Sequence, residues 1–374
     1  MSITLDGSLG ITSPSETVPN TFSSSSNFGF KSKIINGAMV IDQRNAGASV
    51  TFPSSGLNAF IVDRWHTYKQ IATGGSFTGA RSTTAPAGFI NSTLITITSA
   101  VTDTASTVNA MAQFIEGLNV SDLGWGTASA QAVTVSFWVR SSVTGTYSLA
   151  ISNDGYDYSY VTNYTISVAN TWEQKTVTIA GPTAGTWLTT NAAGLRLWFD
   201  LGTGTGRNGT ANAWSASQIY RTAGSVQLLA NNAATFYITG VQLEKGSTAT
   251  SFDYRPYGTE LSLCQRYYLK TLIATGLRFG MGRNLTTTTA NIGIFFPVSM
   301  RIAPTALEQT GTATDYGIGY LSSGTTCTSI PTFASSTTLF STVIFTVTTL
   351  LTAGQGCEGY ANTSNAFLGW SAEL

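Results

Sequence analysis

A single histidine, His66 in the run Asp63-Arg64-Trp65-His66, bounds the chemistry open to this 374-residue chain. Any Ser-His-Asp relay would have to pass through it. Asp63 and Arg64 read instead as an ion pair at a strand edge, with His66 half-buried in a tryptophan-containing corner. Metalloenzyme clusters of the His/Cys/Asp type are disfavoured by the same scarcity. Carboxylate pairs could support glycoside hydrolysis, and the candidates are Asp154 with Asp157, Asp200, and Glu116 with Asp122. Asp154-Gly155 is a ready turn, and Glu116 and Asp122 flank a Gly-Leu-Asn loop where they could cap backbone. The glycine-rich run at 202–210 lacks the Gly-Lys-Ser/Thr element of a phosphate cradle and reads as a flexible surface loop. No cofactor is expected. The one ion the residues could serve is a structural calcium held by Glu244 and Asp253, because sandwich loops often pin a hard cation with carboxylate and carbonyl oxygens.

Aromatic side chains are the remaining resource. A sugar ring has apolar C–H faces, so flat rings on a rigid surface can hold it while amides and hydroxyls read its rim. Tyr156, Tyr158 and Tyr160 recur at alternating positions in one loop and strand, Trp125 lies between Gly124 and Gly126, and Trp214 sits in a long polar loop. Loops are where binding residues gather, so these five are the candidate glycan contacts. Trp138 and Trp198 fall within alternating apolar runs and are expected in the core.

The elements that must position these rings are strands. In Phe236–Gly246, apolar Phe236, Ile238, Val241 and Leu243 alternate with polar residues, and Gly240 stands where the period slips, as at a bulge. The rhythm recurs at 133–142, 146–154, 163–170 and 172–181, split by turn residues, which describes an antiparallel sandwich. Residues 31–52 read as a strand pattern with a hairpin signal at Asn36-Gly37. A break at 251–260 precedes Leu261–Ile273, where periodicity does not separate helix from strand. Alternation resumes at 290–300, 314–323, 341–351 and 365–374, a second β-domain. Residues 1–30, rich in Pro and Ser, read as an extended arm ordered only against a partner.

Only 10% of residues are charged and the net charge is zero, against about 25% charged in ordinary soluble domains. That leaves no electrostatic footprint for nucleic acid and points to a constitutive oligomer or to assembly into a larger particle, since charge is what keeps proteins apart. No apolar run reaches the ~20 residues of a membrane-spanning helix, and no signal peptide is visible at the start, so the chain is expected to be made in a cytoplasm and to stay there or to leave by a route other than a signal peptide, such as host lysis. Three cysteines, Cys264, Cys327 and Cys357, have neither zinc spacing nor an even count, and read as free thiols in β-cores.

The runs IINGAMVIDQRNAGASVT (34–51), VDRW (62–65), EGLNVSDLGWGTASAQAVTVSFWVRSSVTGTY (116–147), NTWEQKTVTIAGPTAGTW (170–187) and, most closely, ATFYITGVQLEKGSTATSFDYRPYGTELSLCQRYY (234–268) resemble a family of bacteriophage tail-fibre proteins over roughly residues 30–270. Residues 130–250 separately resemble jelly-roll carbohydrate-binding modules. The resemblance implies a homotrimeric virion appendage. It would be all-β, with an attachment arm over 1–30 docking on tail, neck or capsid proteins, a jelly-roll β-sandwich over 31–258 and a smaller C-terminal β-sandwich tip over 259–374. Its expected function is to bind host cell-surface polysaccharide without cleaving it and without entering a membrane. The alternatives are a head- or neck-attached structural or decoration protein and, behind both, a tailspike depolymerase.

Overall fold

In a computed structural model the chain is built almost wholly of strands. The structure describes residues 30–374 apart from 71–73, 273, 321–322 and 349, together with the strands Thr4–Asp6, Gly10–Ser13 and Glu16–Thr17, which pair antiparallel. The remainder of the expected arm lies outside the described residues.

The strand Thr235–Lys245 runs between Val133–Ser141 and Ser92–Ser99 in a six-stranded sheet. Its register against Val133–Ser141 shifts between Ser136 and Trp138, opposite the expected bulge. Phe236, Ile238, Val241 and Leu243 are all fully buried. Ile238 and Val241 are three residues apart, so they can share a face only because one extra residue is inserted. That residue must be Gly240, whose φ is 61° and whose missing Cβ would lie 2.6 Å from the Phe89 ring.

The six strands lie in the order Glu173–Ile179, Val133–Ser141, Thr235–Lys245, Ser92–Ser99, Ser76–Ser82, Val50–Phe52. A seven-stranded sheet packs against it, ordered Ala213–Ser215, Ser159–Ile166, Gly145–Ser152, Ala193–Asp200, Asn109–Glu116, Trp65–Lys69, Leu57–Val62. Together they form the jelly-roll sandwich, with Trp65, Phe137, Leu149, Ile151, Leu197 and Phe199 buried between the sheets. All five alternating segments of the sequence are strands of these two sheets. Trp138 is not core: Phe137 and Val139 take the inward positions, leaving Trp138 half-exposed on the outer face.

Residues 31–49 depart from the expected strand and hairpin. They form a succession of turns, and only Val50–Phe52 is extended. The cause is Asn36, held in the left-handed region at φ 57°. Its side chain accepts from the Ile41 amide and donates to the carbonyls of Ile41 and Asp63, while its own carbonyl accepts from the Trp65 indole. A side chain that satisfies backbone groups locally replaces the sheet ladder. Gly37 then passes so close to the central strand that a Cβ would sit 2.1 Å from the Val241 carbonyl oxygen.

The undecided segment 261–273 divides: a helix, Tyr257–Gln265, ends one residue before Arg266, and the strand Tyr268–Leu272 follows. That strand joins Phe367–Ser371 and Glu308–Gln309 in a three-stranded sheet. A second seven-stranded sheet covers it, ordered Ser323–Thr326, Tyr316–Tyr320, Gly356–Ala361, Arg278–Asn284, Thr289–Phe295, Phe340–Thr346, Ser329–Ser336. Ile292, Ile318, Phe345, Leu368 and Trp370 fill this second core.

Sandwich and tip meet through buried charge. Glu116, with 1% exposure, accepts from Arg266 Nε at 3.0 Å, from Arg266 Nη2 at 2.6 Å and from the Tyr267 hydroxyl at 2.7 Å. Arg64 lies 3.6 Å over the Tyr267 ring and pairs with Glu373. Removing one member of such a set leaves the others buried and unanswered. Glu116→Gln is therefore expected to lower stability by about 3 kcal/mol, read as the shift in denaturant midpoint; an unchanged midpoint would contradict this account of the joint.

Candidate functional site

Three indoles converge at one rim of the sandwich. Trp125 meets Trp187 at 4.7 Å between ring centroids and Trp214 at 5.6 Å, and Trp187 meets Trp214 at 5.5 Å, all edge to face. Tyr158 stacks on Trp214 at 5.7 Å with 12° between planes, and Tyr160 tilts against it at 5.1 Å. Trp214 comes from the edge strand Ala213–Ser215, directly opposite Tyr160.

Glycine makes the convergence possible. Gly124, Gly126 and Gly185 have φ of 61°, 83° and 85°, so both loops turn through the left-handed region. The Gly126 amide donates to the Pro182 carbonyl, and a Cβ on Gly126 would lie 2.8 Å from the Gly185 carbonyl oxygen. Each indole N–H is fixed to a backbone carbonyl: Trp125 to Gln131 at 2.7 Å, Trp187 to Ala184 at 3.0 Å and Trp214 to Ala180 at 2.9 Å. The rings are therefore locked, with Trp125 buried and Trp187, Trp214 and Tyr158 half-exposed. Beside them a cavity of about 210 Å³ is walled by Trp125, Trp187 and Leu188, with the exposed hydroxyl residues Ser121, Thr127 and Thr189.

Four of the five sequence candidates thus come together, and Tyr156 does not. Alternation would place it beside Tyr158 and Tyr160, but Tyr156 stands in a turn at φ 58°, which turns it to the opposite side. There it caps the guanidinium of Arg196 at 3.9 Å, within an aromatic patch on the outer face of the seven-stranded sheet that includes Tyr68, Phe114, Trp198 and Tyr220. Trp198 is buried as expected, in this outer patch rather than between the sheets. The patch is largely closed, because Ile219 and Tyr220 pack onto it and Arg196 fills the space between Phe114 and Tyr156. Nor is the glycine-rich run at 202–210 a loose loop. Gly204 and Gly206 donate to the carbonyls of Thr107 and Ala105, and a Cβ on Gly204 would lie 2.0 Å from the Ala105 oxygen. Trp187 is the rim residue that sequence reasoning passed over, although a glycine stands two residues before it in Gly185-Thr186-Trp187, much as Gly124 precedes Trp125.

The titratable candidates are all engaged elsewhere. His66 stacks on Phe60 at 4.6 Å, and burial together with the Arg44 charge pushes its pKa down to about 4. Asp63 and Arg64 do not pair with each other: Asp63 accepts from the Gln43 amide and side chain, and Arg64 reaches Glu373. Asp154 holds Arg196 at 2.5 Å, Asp157 accepts from Asn153 at 2.7 Å, and Asp122 pairs with Lys33 at 2.9 Å. Glu244 accepts from the amide and hydroxyl of Thr250, and Asp253 from the Ser32 amide at 3.3 Å. Among the described residues no three His, Cys, Asp or Glu side chains group as metal ligands. All three cysteines are buried and free.

Asp200 is a buried carboxylate left half unanswered. It is 1% exposed, Oδ1 accepts from the Gly202 and Thr203 amides, and Oδ2 has no partner. Burial lifts its pKa from 3.8 to about 6. The folded protein therefore keeps a proton that the unfolded chain has released, and this group's stabilising contribution, full below 3.8, is lost as pH rises through 6. Asp200→Asn should stabilise the fold by about 2 kcal/mol near pH 8, with the gain vanishing near pH 4. Thermal midpoints across this range check it, and a destabilised variant at high pH would contradict it.

No family model matches the chain, and no curated protein matches it. Among solved structures it is similar to a candidate sugar-binding protein from Bacteroides thetaiotaomicron VPI-5482, at 17% identity over 57% of this chain and 99% of that one, with a TM-score of 0.33. The CBM22-1 xylan-binding domain of Paenibacillus barcinonensis Xyn10C is similar at 10% identity over 55% of this chain and 99% of that one, TM-score 0.27. The enzymatically active domain of bacteriophage CBA120 tailspike protein 4 is similar at 11% identity over 57% of this chain and 21% of that one, TM-score 0.27. TM-scores this low leave the functional reading to this chain's own residues.

Proposed function

We propose that this chain is a non-catalytic glycan-binding protein of a bacteriophage appendage, and that the rim of its sandwich is the binding surface. The observation that carries the reading is the locked triad of Trp125, Trp187 and Trp214, with every indole N–H fixed to backbone and two ring faces left half-exposed. Rings already held in place lose little freedom when a ligand arrives, so stacking translates into affinity. A pyranose ring would lay its C–H face on Trp187 or Trp214 and direct hydroxyls toward Ser121, Thr127 and Thr189. Trp125 would support the platform from beneath.

Binding without cleavage is supported by the state of the carboxylates: Asp154, Asp157, Asp122 and Glu116 each hold a cationic or amide partner, and Asp200, though one of its oxygens is unpartnered, is sealed at 1% exposure away from any ligand. No cofactor is called for. The virion setting, with residues 1–30 as the attachment arm and three copies per appendage, follows the tail-fibre resemblance. Met281 and Phe295, 78% and 81% exposed on the tip, add an apolar surface that further copies of the chain would cover.

The test is binding of the fluorescently labelled protein, sedimenting as a trimer, to host cells, with block of phage adsorption as second readout. Trp187→Ala with Trp214→Ala should abolish saturable binding and leave the fold intact. Trp125→Ala should instead lower stability by about 3 kcal/mol, as expected for a buried large-to-small change. Binding by the double variant equal to that of the parent would overturn the rim as the site. Release of reducing sugar would replace binding with hydrolysis, and a trimer that binds no cell would move the function to residues 1–30.

A further inference from the structure

The tip holds a cavity of about 300 Å³ whose walls include Arg278, Gly319, Ser323, Gly324, Glu358 and Tyr360. It lies on the face of the tip's seven-stranded sheet turned away from the core. Gly317 stands opposite Tyr360, and Gly319 opposite Glu358; on the other side, Tyr360 pairs in register with Arg278. A Cβ on Gly317 would lie 2.3 Å from Tyr360 Cζ, one on Gly319 would lie 2.7 Å from Glu358 Oε1, and one on Gly324 would lie 3.2 Å from the Tyr360 hydroxyl. Tyr360 and Glu358 therefore lie across bare glycine backbone. Any side chain at 317 or 319 would lift them off the sheet and fill the space above.

The charges in this cavity are matched. Arg278 donates from Nε to Glu358 Oε1 at 2.6 Å, its Nη2 reaches the same oxygen at 2.5 Å, and its Nη1 is held by the Gly276 carbonyl. Both carboxylate contacts fall on Oε1, which leaves Oε2 to accept from a ligand. With its guanidinium already answered, the site has no excess charge to attract an anion. What remains is a half-exposed phenol ring, its centroid 5.8 Å from the Arg278 guanidinium carbon, with an acceptor and the hydroxyl of Ser323.

We propose that this pocket is a second binding site, for a single neutral sugar ring, with the ring's C–H face on Tyr360 and a hydroxyl donating to Glu358 Oε2. The proposal rests on the glycan reading for its ligand class, but it shares no residue with the rim. A one-ring site suits a terminal residue of a host glycan, whereas the rim can track a longer stretch.

Saturation-transfer NMR on the full chain tests it, using methyl glycosides of glucose, galactose, mannose and N-acetylglucosamine, with N-acetylneuraminic acid as the anionic contrast. Transfer to at least one neutral glycoside is expected, and it should be retained in the Trp187→Ala/Trp214→Ala variant, where the rim no longer contributes. In that rim-variant background the affinity, read by titrating the transfer, should fall about tenfold, equivalent to about 1.4 kcal/mol, on adding Tyr360→Ala or Glu358→Gln. The second substitution is nearly isosteric and removes only an exposed ion pair, so the fold is retained. No transfer to any neutral glycoside, transfer in the rim variant that survives both tip substitutions, or transfer to the acid alone would overturn the proposal. Loss of transfer in the rim variant would assign the signal to the rim and overturn the second site, while tip binding that persists in a protein unable to bind cells would leave this site standing and the rim reading refuted.

Discussion

Glu116 is the pivot of the molecule: a carboxylate with 1% exposure, at the end of a sandwich strand, whose side-chain partners among the described residues come from the C-terminal β-region. Arg266 and Tyr267 reach it from the turn between the helix Tyr257–Gln265 and the strand Tyr268–Leu272. A buried carboxylate without such partners would be strongly destabilising, so the turn after the helix is held where it is. From there the strand Tyr268–Leu272 enters the tip's three-stranded sheet. The same joint gathers Arg64 over the Tyr267 ring, Arg44 over the Tyr268 ring at 3.4 Å, and Arg301 on the carbonyls of Asn191, Ala372 and Glu373. A chain with only 18 basic and 18 acidic residues thus concentrates several of them at one seam. There, planar guanidinium groups can lie on aromatic faces and donate to carboxylates or carbonyls at once.

The rim works by the opposite means, with almost no charge. Two loops with left-handed glycines cross so closely that a Cβ on Gly126 would meet the Gly185 carbonyl oxygen, while one on Gly185 would meet the Tyr158 ring, and this brings Trp125 and Trp187 into edge contact. An edge strand then adds Trp214, and backbone carbonyls take the three indole N–H groups. Core and site are the same structure here. Trp125 belongs to the sandwich core, while Trp187 and Trp214 pack onto it and face out. The outer patch around Trp198 shows the contrast: a comparable set of rings, with an arginine in the gap and a segment folded over it, is closed.

The strands were legible because side-chain alternation is a local signal, and even the bulge could be placed from the three-residue gap between Ile238 and Val241. What was not legible depended on partners far along the chain. Asn36-Gly37 carries a hairpin signature, yet it forms a knot because the Asp63 carbonyl, the Trp65 indole and the Val241 strand are all nearby. Tyr156 obeys the period of its neighbours in sequence and breaks it in space, since one left-handed residue inverts the side it faces. Trp138 alternates faultlessly, but alternation alone does not say which of two faces is buried. Arg278, Glu358 and Tyr360 gave no sequence signal at all: their pocket depends on glycines of a different strand.

The most direct measurement follows the indole resonances of the eight tryptophans in the full chain as fragments of host surface polysaccharide are added. The account predicts saturable shifts at Trp187 and Trp214, while the fully buried Trp65, Trp198 and Trp370 stay where they are. Shifts confined to Trp138 or Trp172, or none at a fragment concentration that occupies the protein by an independent assay, would contradict the claim that the rim holds the glycan.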